Sequence, residues 1–452
     1  MGTRRHGKAR IVTLALALFA GGAAGVAAPV SAAASGSADV VTTAPQIADA
    51  QHPIPKIGSM FEGSLARSAS TALPRVPDLT EHGETTAKRT GATYTVNADD
   101  VTGSIGLRKT LVDYDPIRDC SVALGGKPGN RVIDHYTLCM INSIYYNTVE
   151  TSTGKIIGTT SWLQITAGQS GAEERAAHFT TSLESFKREG DTGSAPATKK
   201  LEVTIGTGGY SGSDGTNKPC SVLGSDANPT TEDVWDTTDR RAVHTVYSSK
   251  ADGYGRDFIS RCAFSTFDRN GSNDWGMINS SGLRQDSADY FWESPTDHKE
   301  STSVFDRVIP VMVYSLSSPA HKEVAAHINL AQTHPELTDP KVNGKLIPGS
   351  IASGKTLSRL YDKWDTVAGE QKKKNTAAKD KACATIKPSN TNGLDCDEYP
   401  FASTWEGAGS GPNFSVKYLD STQNRSAGSQ LGDWYTKDRI LHKDSFYVAI
   451  DK

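Results

Sequence analysis

Six cysteines constrain this chain most, because they fall in three sequence-neighbouring couples: Cys120 with Cys139, Cys220 with Cys262, and Cys383 with Cys396. None stands in a Cys-x-x-Cys pair. In an exported protein an even count favours disulfides over zinc. The expected bridges are therefore Cys120–Cys139, Cys220–Cys262 and Cys383–Cys396. Bridges this local respect domain boundaries.

Export is read from the N-terminus. Arg4, Arg5, Lys8 and Arg10 make a basic start, and Ile11 to Val26 is apolar and rich in Ala and Leu. Val30-Ser31-Ala32 then offers a small-x-small cleavage site, so residues 1–32 are expected to be a removable signal peptide. Gly21, Gly22 and Gly25 break the apolar run and no later segment is long and apolar, so no membrane anchor is expected. The mature chain, roughly 420 residues, is too long for one ordinary core and should hold two or more domains. The full chain's formal charge of -3 argues against a strongly basic nucleic-acid coat.

Composition divides the rest. Residues 33–92 are rich in Ala, Ser, Thr and Pro and poor in large apolar residues, which predicts a flexible leader. Residues 93–300 carry short β-prone runs split by Gly, Asn, Asp and Ser. Examples are His135–Leu138, Ser161–Ile165, Leu201–Ile205 and Ala242–Tyr247. They predict an antiparallel β-rich domain whose partner is unknown. Cys120-Ser121-Val122 and Cys220-Ser221-Val222 hint at a duplicated unit.

Residues 301–452 read as a second domain. Val308–Tyr314 predicts a strand, placed at an edge by Pro310. Ser318-Pro319 predicts a helix start, with Val324, Ala325, Ile328 and Ala331 sharing one face. Asp362–Lys381 is a polar stretch in which Lys372, Lys373 and Lys374 form a solvated face.

Two motifs are set aside. Gly349-Ser350-Ile351-Ala352-Ser353-Gly354-Lys355-Thr356 has the letters of a phosphate-binding loop, but no buried strand feeds it and no apolar strand ending in Asp follows. It is read as a connector. His321 and His327 stand six apart, where a helical zinc pair needs four, so both are read as surface or packing residues. No G-x-S-x-G elbow occurs, which leaves no serine nucleophile of that type.

The chemistry concentrates near the C-terminus, in Asp395-Cys396-Asp397-Glu398-Tyr399-Pro400-Phe401-Ala402 and Asn424-Arg425-Ser426-Ala427-Gly428-Ser429. A carboxylate takes a proton from water or holds a hard cation, an Asn oxygen completes a metal shell, and an Arg forks onto phosphate. Leu394–Phe401 and Asn413–Leu419 predict two strands, Ser421 or Thr422 a helix cap, and Phe446, Val448 and Ile450 a closing strand. Gly428, without a side chain, permits close approach to a strand or phosphate.

At these residues the chain resembles the NucA/NucB family of secreted deoxyribonucleases. That family carries an Asp-Glu-aromatic-Pro-x-Ala block, a Glu-Gly turn and an Asn-Arg-x-x-Gly-Ser block. Here those are Asp397–Ala402, Glu406-Gly407 and Asn424–Ser429. The chain departs from short members at Cys396, where they tend to have Arg, and at Thr404, where they can have Cys. The resemblance implies a ββα-metal nuclease in which Asp397 is the general base and Asn424 a metal ligand. It makes Glu398 a catalytic or metal-shell acid, Glu406 a metal ligand and Arg425 a phosphate contact.

The expectation is an α+β protein: a C-terminal ββα-metal nuclease-like domain preceded by a β-rich domain. It would act as a secreted, extracellular, Mg²⁺- or Mn²⁺-dependent endonuclease on DNA. The alternative is a non-enzymatic extracellular module that binds glycan or another polymer.

Overall fold

The computed structural model describes residues 40–51, 53–62, 92–93, 115–170, 175–209, 220–223, 229–248, 259–270, 276–288, 301–363 and 366–451. The expected signal peptide lies outside them. The described residues belong to one compact unit of mixed α+β structure.

Two sheets make the β-rich region. The first holds β1 (Val40–Thr42), β2 (Gln46–Ile47), β3 (Ala92–Thr93), β4 (Gly129–Asp134), β5 (Thr137–Glu150), β6 (Ile156–Ser170), β7 (Ala176–Gly190), β9 (Ser221–Leu223) and β11 (Ala242–Tyr247). The second holds β8 (Lys200–Gly209), β10 (Thr230–Thr231), β12 (Ser260–Asn270), β13 (Gly276–Asp286) and β14 (Thr302–Val304). Two short helices, α1 (Pro116–Ala123) and α2 (Glu232–Thr237), complete it. Pairing is antiparallel throughout except between β3 and β4. The sheets share a core as a sandwich: Phe179 of β7 and Phe264 of β12 meet with ring centroids 4.6 Å apart.

The expected strands are present, although His135 and Tyr136 form the turn that leads into β5, and β5 and β6 extend well beyond the periodic runs. Strand alternation explains their shared face: Leu138, Met140, Ile144 and Tyr146 of β5 are buried opposite alternate residues of β6. Strands buried on both faces do not alternate cleanly in sequence, which hides their ends. Part of the expected leader is not flexible, since β1 and β2 add to β5 and Val40–Thr42 pairs with Thr148–Glu150. Short β-branched runs suffice once an edge is open to pair with.

The two Cys-Ser-Val triplets are not a repeat: one lies in helix α1 and the other enters strand β9. Two expected disulfides form, Cys220–Cys262 and Cys383–Cys396. The third couple does not. Cys120 and Cys139 are buried free thiols in one apolar cluster, and their contact together with burial raises the Cys139 pKa.

The C-terminal region contains β15 (Val311–Ser315), α3 (Lys322–Thr333), β16 (Leu357–Ser358), α4 (Thr366–Thr385), β17 (Leu394–Tyr399), β18 (Ser415–Asp420), α5 (Ser421–Lys437) and β19 (Ser445–Asp451). β15 lies at an edge, parallel to β19, and begins just after Pro310. β17 and β18 form a separate antiparallel hairpin. Helix α3 starts later than Pro319 implies, because the Ser318 carbonyl accepts from both His321 and Lys322 N–H in a preceding turn. Its apolar face is the one expected. The polar stretch proves to be most of α4, a 20-residue helix that buries only Ala368, Asn375, Ala382 and Cys383. With so narrow an apolar face, periodicity cannot announce it.

Buried charge joins the two regions. Arg439 reaches Asp286 at 2.7 Å, Arg284 donates to the Arg439 carbonyl at 2.7 Å, and the His135 ring donates to the Asp438 carbonyl at 2.7 Å. Ile259, Ala288 and Leu441 add an apolar contact.

Candidate active site

The β17–β18 hairpin lies between helices, so alternate residues of β17 serve different neighbours. Asp397 and Tyr399 turn toward α3, while Cys396 and Glu398 turn toward α4. This separates the adjacent carboxylates.

Asp397 is 8% exposed. Its Oδ2 lies 2.7 Å from His327 Nδ1, and His327 Nε2 lies 2.7 Å from Ser415 Oγ. A carboxylate can only accept, so Nδ1 carries the proton; in a neutral ring Nε2 then accepts from the Ser415 hydroxyl. This relay joins β17, α3 and β18. Reading His327 as a packing residue misses it. The available signal is its position on α3, because residues 324, 327, 328 and 331 follow the i, i+3, i+4, i+7 spacing of one buried face. His321 is a packing residue: its Nε2 accepts from Ser315 N–H and its ring meets Tyr314 edge-on. Tyr314 also lies near Asp397, and its hydroxyl donates to the Ala427 carbonyl of α5.

Glu398 sits on the other face. Burial pushes its pKa up to about 7, opposed by Lys379, whose Nζ is 3.9 Å away. One carboxylate oxygen accepts from the Ala402 N–H at 3.0 Å.

Helix α5 is capped by Asp420, one residue before Ser421 and two before Thr422, the two expected caps, through the N–H groups of Thr422 and Gln423. Asn424 follows in the first turns and lines a groove beside β17. Arg425 is exposed and pairs with Asp395 at 3.0 Å. Gly428 meets nothing that a Cβ would disturb, so close approach is not why glycine stands there. Gly407 and Gly409 do serve packing, since a Cβ on either would strike Asn375 or its backbone neighbour. Gly349, of the phosphate-loop-like run, has φ +110 and packs under the Tyr399 hydroxyl. That run is a structural turn.

Glu406 is engaged elsewhere: its two oxygens accept from the Ser358 N–H at 2.8 Å and hydroxyl at 2.9 Å. Among the described residues no three His, Cys, Asp or Glu side chains form a metal-ligand cluster. Such an arrangement does not fit a protein-made cage built on Glu406. An Mg²⁺-type ion needs only one or two protein oxygens, with water and substrate phosphate filling its octahedron. Asn424 brings a side-chain amide to the β17 groove, whose lining does not include Asp397.

No helix among the described residues is long and apolar enough to cross a membrane. No curated protein and no solved structure matches the chain. β15 and α3, which supplies His327, lie upstream of residue 350. Residues 350–449, within the last third of the chain and including Asp397, Glu406 and Asn424, match the deoxyribonuclease NucA/NucB family.

Proposed function

We propose that this chain is a secreted endonuclease that hydrolyses phosphodiester bonds of DNA, with Asp397 as the general base. The Asp397–His327–Ser415 relay, whose Asp397 and Ser415 lie inside the segment that matches a deoxyribonuclease family, carries the reading. His327 holds one carboxylate oxygen and leaves the other to take a proton from water as it attacks phosphorus. A buried carboxylate held in this way loses little orientation during the reaction.

Mg²⁺ or Mn²⁺, held by Asn424 and the substrate, would supply charge stabilisation at the phosphate. Glu398, with its pKa near 7, is suited to exchange protons around neutral pH. Arg425 would have to leave Asp395 to reach a phosphate.

A plasmid-degradation assay with and without EDTA tests the reading. Cleavage that EDTA abolishes and Mg²⁺ or Mn²⁺ restores is the expected result. Binding of a polymer without degradation, in any metal, would instead support the extracellular binding module.

A further inference from the structure

An open groove of about 550 Å³ runs between α4 and β17, lined among others by Lys379, Lys387, Thr391, Asp395, Tyr418 and Asn424. We propose that it binds a single DNA strand, with Lys387 as the principal phosphate contact and Tyr418 as a platform for a base. This rests on the endonuclease reading and specifies its substrate as single-stranded or locally opened DNA.

Size is the first argument. Clefts of roughly 300–1,000 Å³ hold small organic ligands, so this one has room for one or two nucleotides of a strand. Charge is the second. Arg425 is already paired with Asp395, and Lys379 lies 3.0 Å from Asp380. Lys387, just beyond the end of α4, is exposed on the groove wall. A phosphate entering here therefore meets Lys387 as its least neutralised cation. Chemistry is the third. A lysine beside an aromatic ring is the pairing by which proteins track single strands, the cation on the backbone and the ring under a base. The groove also borders β17, which pairs with β18 alone among the described strands, and Asn424 is among its lining residues. A strand lying in it would pass beside the residues that precede Asp397.

The test uses the full chain carrying Asp397→Asn, so that binding is read without cleavage. Fluorescence anisotropy with a labelled single-stranded oligonucleotide and with a duplex of the same sequence is followed across NaCl concentrations. Tighter binding of the single strand is expected. Adding Lys387→Gln should reduce the slope of log K against log salt by about 0.7, the loss of one phosphate contact. Adding Tyr418→Ala should weaken binding about 5- to 150-fold, the loss of one stacked base, while Tyr418→Phe retains it. Equal affinity for duplex and single strand, or an unchanged salt slope in the Lys387→Gln variant, overturns the proposal. In that case a wild-type chain that still cuts plasmid leaves the nuclease reading standing; a chain that cuts no DNA removes both.

Discussion

The centre of the β-rich sandwich and the surroundings of the site hold their buried polar groups differently. In the sandwich, both amide atoms of Gln164, the Thr266 hydroxyl and both oxygens of Asp268 are buried with no hydrogen bond of good geometry among the described residues. Around the site in the C-terminal region, the interior polar groups have partners. Asn375, 1% exposed, donates to the Ala402 and Thr404 carbonyls and accepts from Gln371 and Gly409. Gln332 donates to the Tyr399 hydroxyl and the Val448 carbonyl, and the Lys345 ammonium is held by Thr338 and Pro340. Each unmet buried group costs about 1–3 kcal/mol, whereas a satisfied network fixes one arrangement. The satisfied networks brace the elements around the hairpin, while the sandwich holds unmet groups among its apolar clusters.

Paired substitutions of the two buried aspartates probe the contrast most strongly. Asp397→Asn should lower DNA cleavage about 10²–10⁴-fold with the fold intact. Asp268→Asn, in the sandwich, should leave cleavage unchanged. Comparable losses in both, measured on folded protein, would erase the functional distinction.

The disulfides separate the two regions next. Replacing Cys220 and Cys262 by Ser, which opens a 42-residue separation, should cost about 4 kcal/mol of stability. Replacing Cys383 and Cys396, 13 residues apart, should cost about 3 kcal/mol. Denaturant titrations measure both. Only the second pair, whose Cys396 precedes Asp397, should also lower cleavage by the folded fraction.

His327→Gln tests whether the relay orients Asp397. A loss of about 10–100-fold in kcat, with KM held, is expected of a group that acts through its neighbour. Unchanged kcat would reduce His327 to packing.

The weakest contrast lies in pH dependence. Burial raises the Asp268 pKa well above its ordinary 3.8, against the influence of the Gln164 amide. Below 3.8 the carboxyl is protonated in both folded and unfolded chains. As pH rises past that value only the unfolded chain releases the proton, so stability falls toward the raised folded pKa. Asp268→Asn should remove this decline, seen as a higher Tm relative to wild type at pH 7 than at pH 3.5.

Much of the fold is legible in the amino-acid sequence. Leu201–Ile205 and Ala242–Tyr247 announce strands by alternation, and Val324, Ile328 and Ala331 announce a buried helix face. Short blocks of neighbours mark Asp397 and Asn424 as candidates, inside the segment that matches the family. Helix α4 is not, because Asn375, its central buried residue, is polar and reads as solvent-facing. The start of α3 is misplaced at Pro319, where a tight turn and a first helical turn share the same sequence signal.

The periodic strands and the residue types of the site follow from the order of residues alone, since each depends on spacing along one stretch of chain; the disulfides follow only in part, because the spacing that names Cys220–Cys262 and Cys383–Cys396 also names Cys120–Cys139, which stays reduced. The partners of those residues do not. Packing brings His327 to Asp397 across 70 positions, turns Glu398 to the opposite face, places Glu406 on Ser358 and sets Arg425 against Asp395. Those pairings rest on hydrogen bonds between distant groups, whose geometry exists only after the helices have packed around the hairpin.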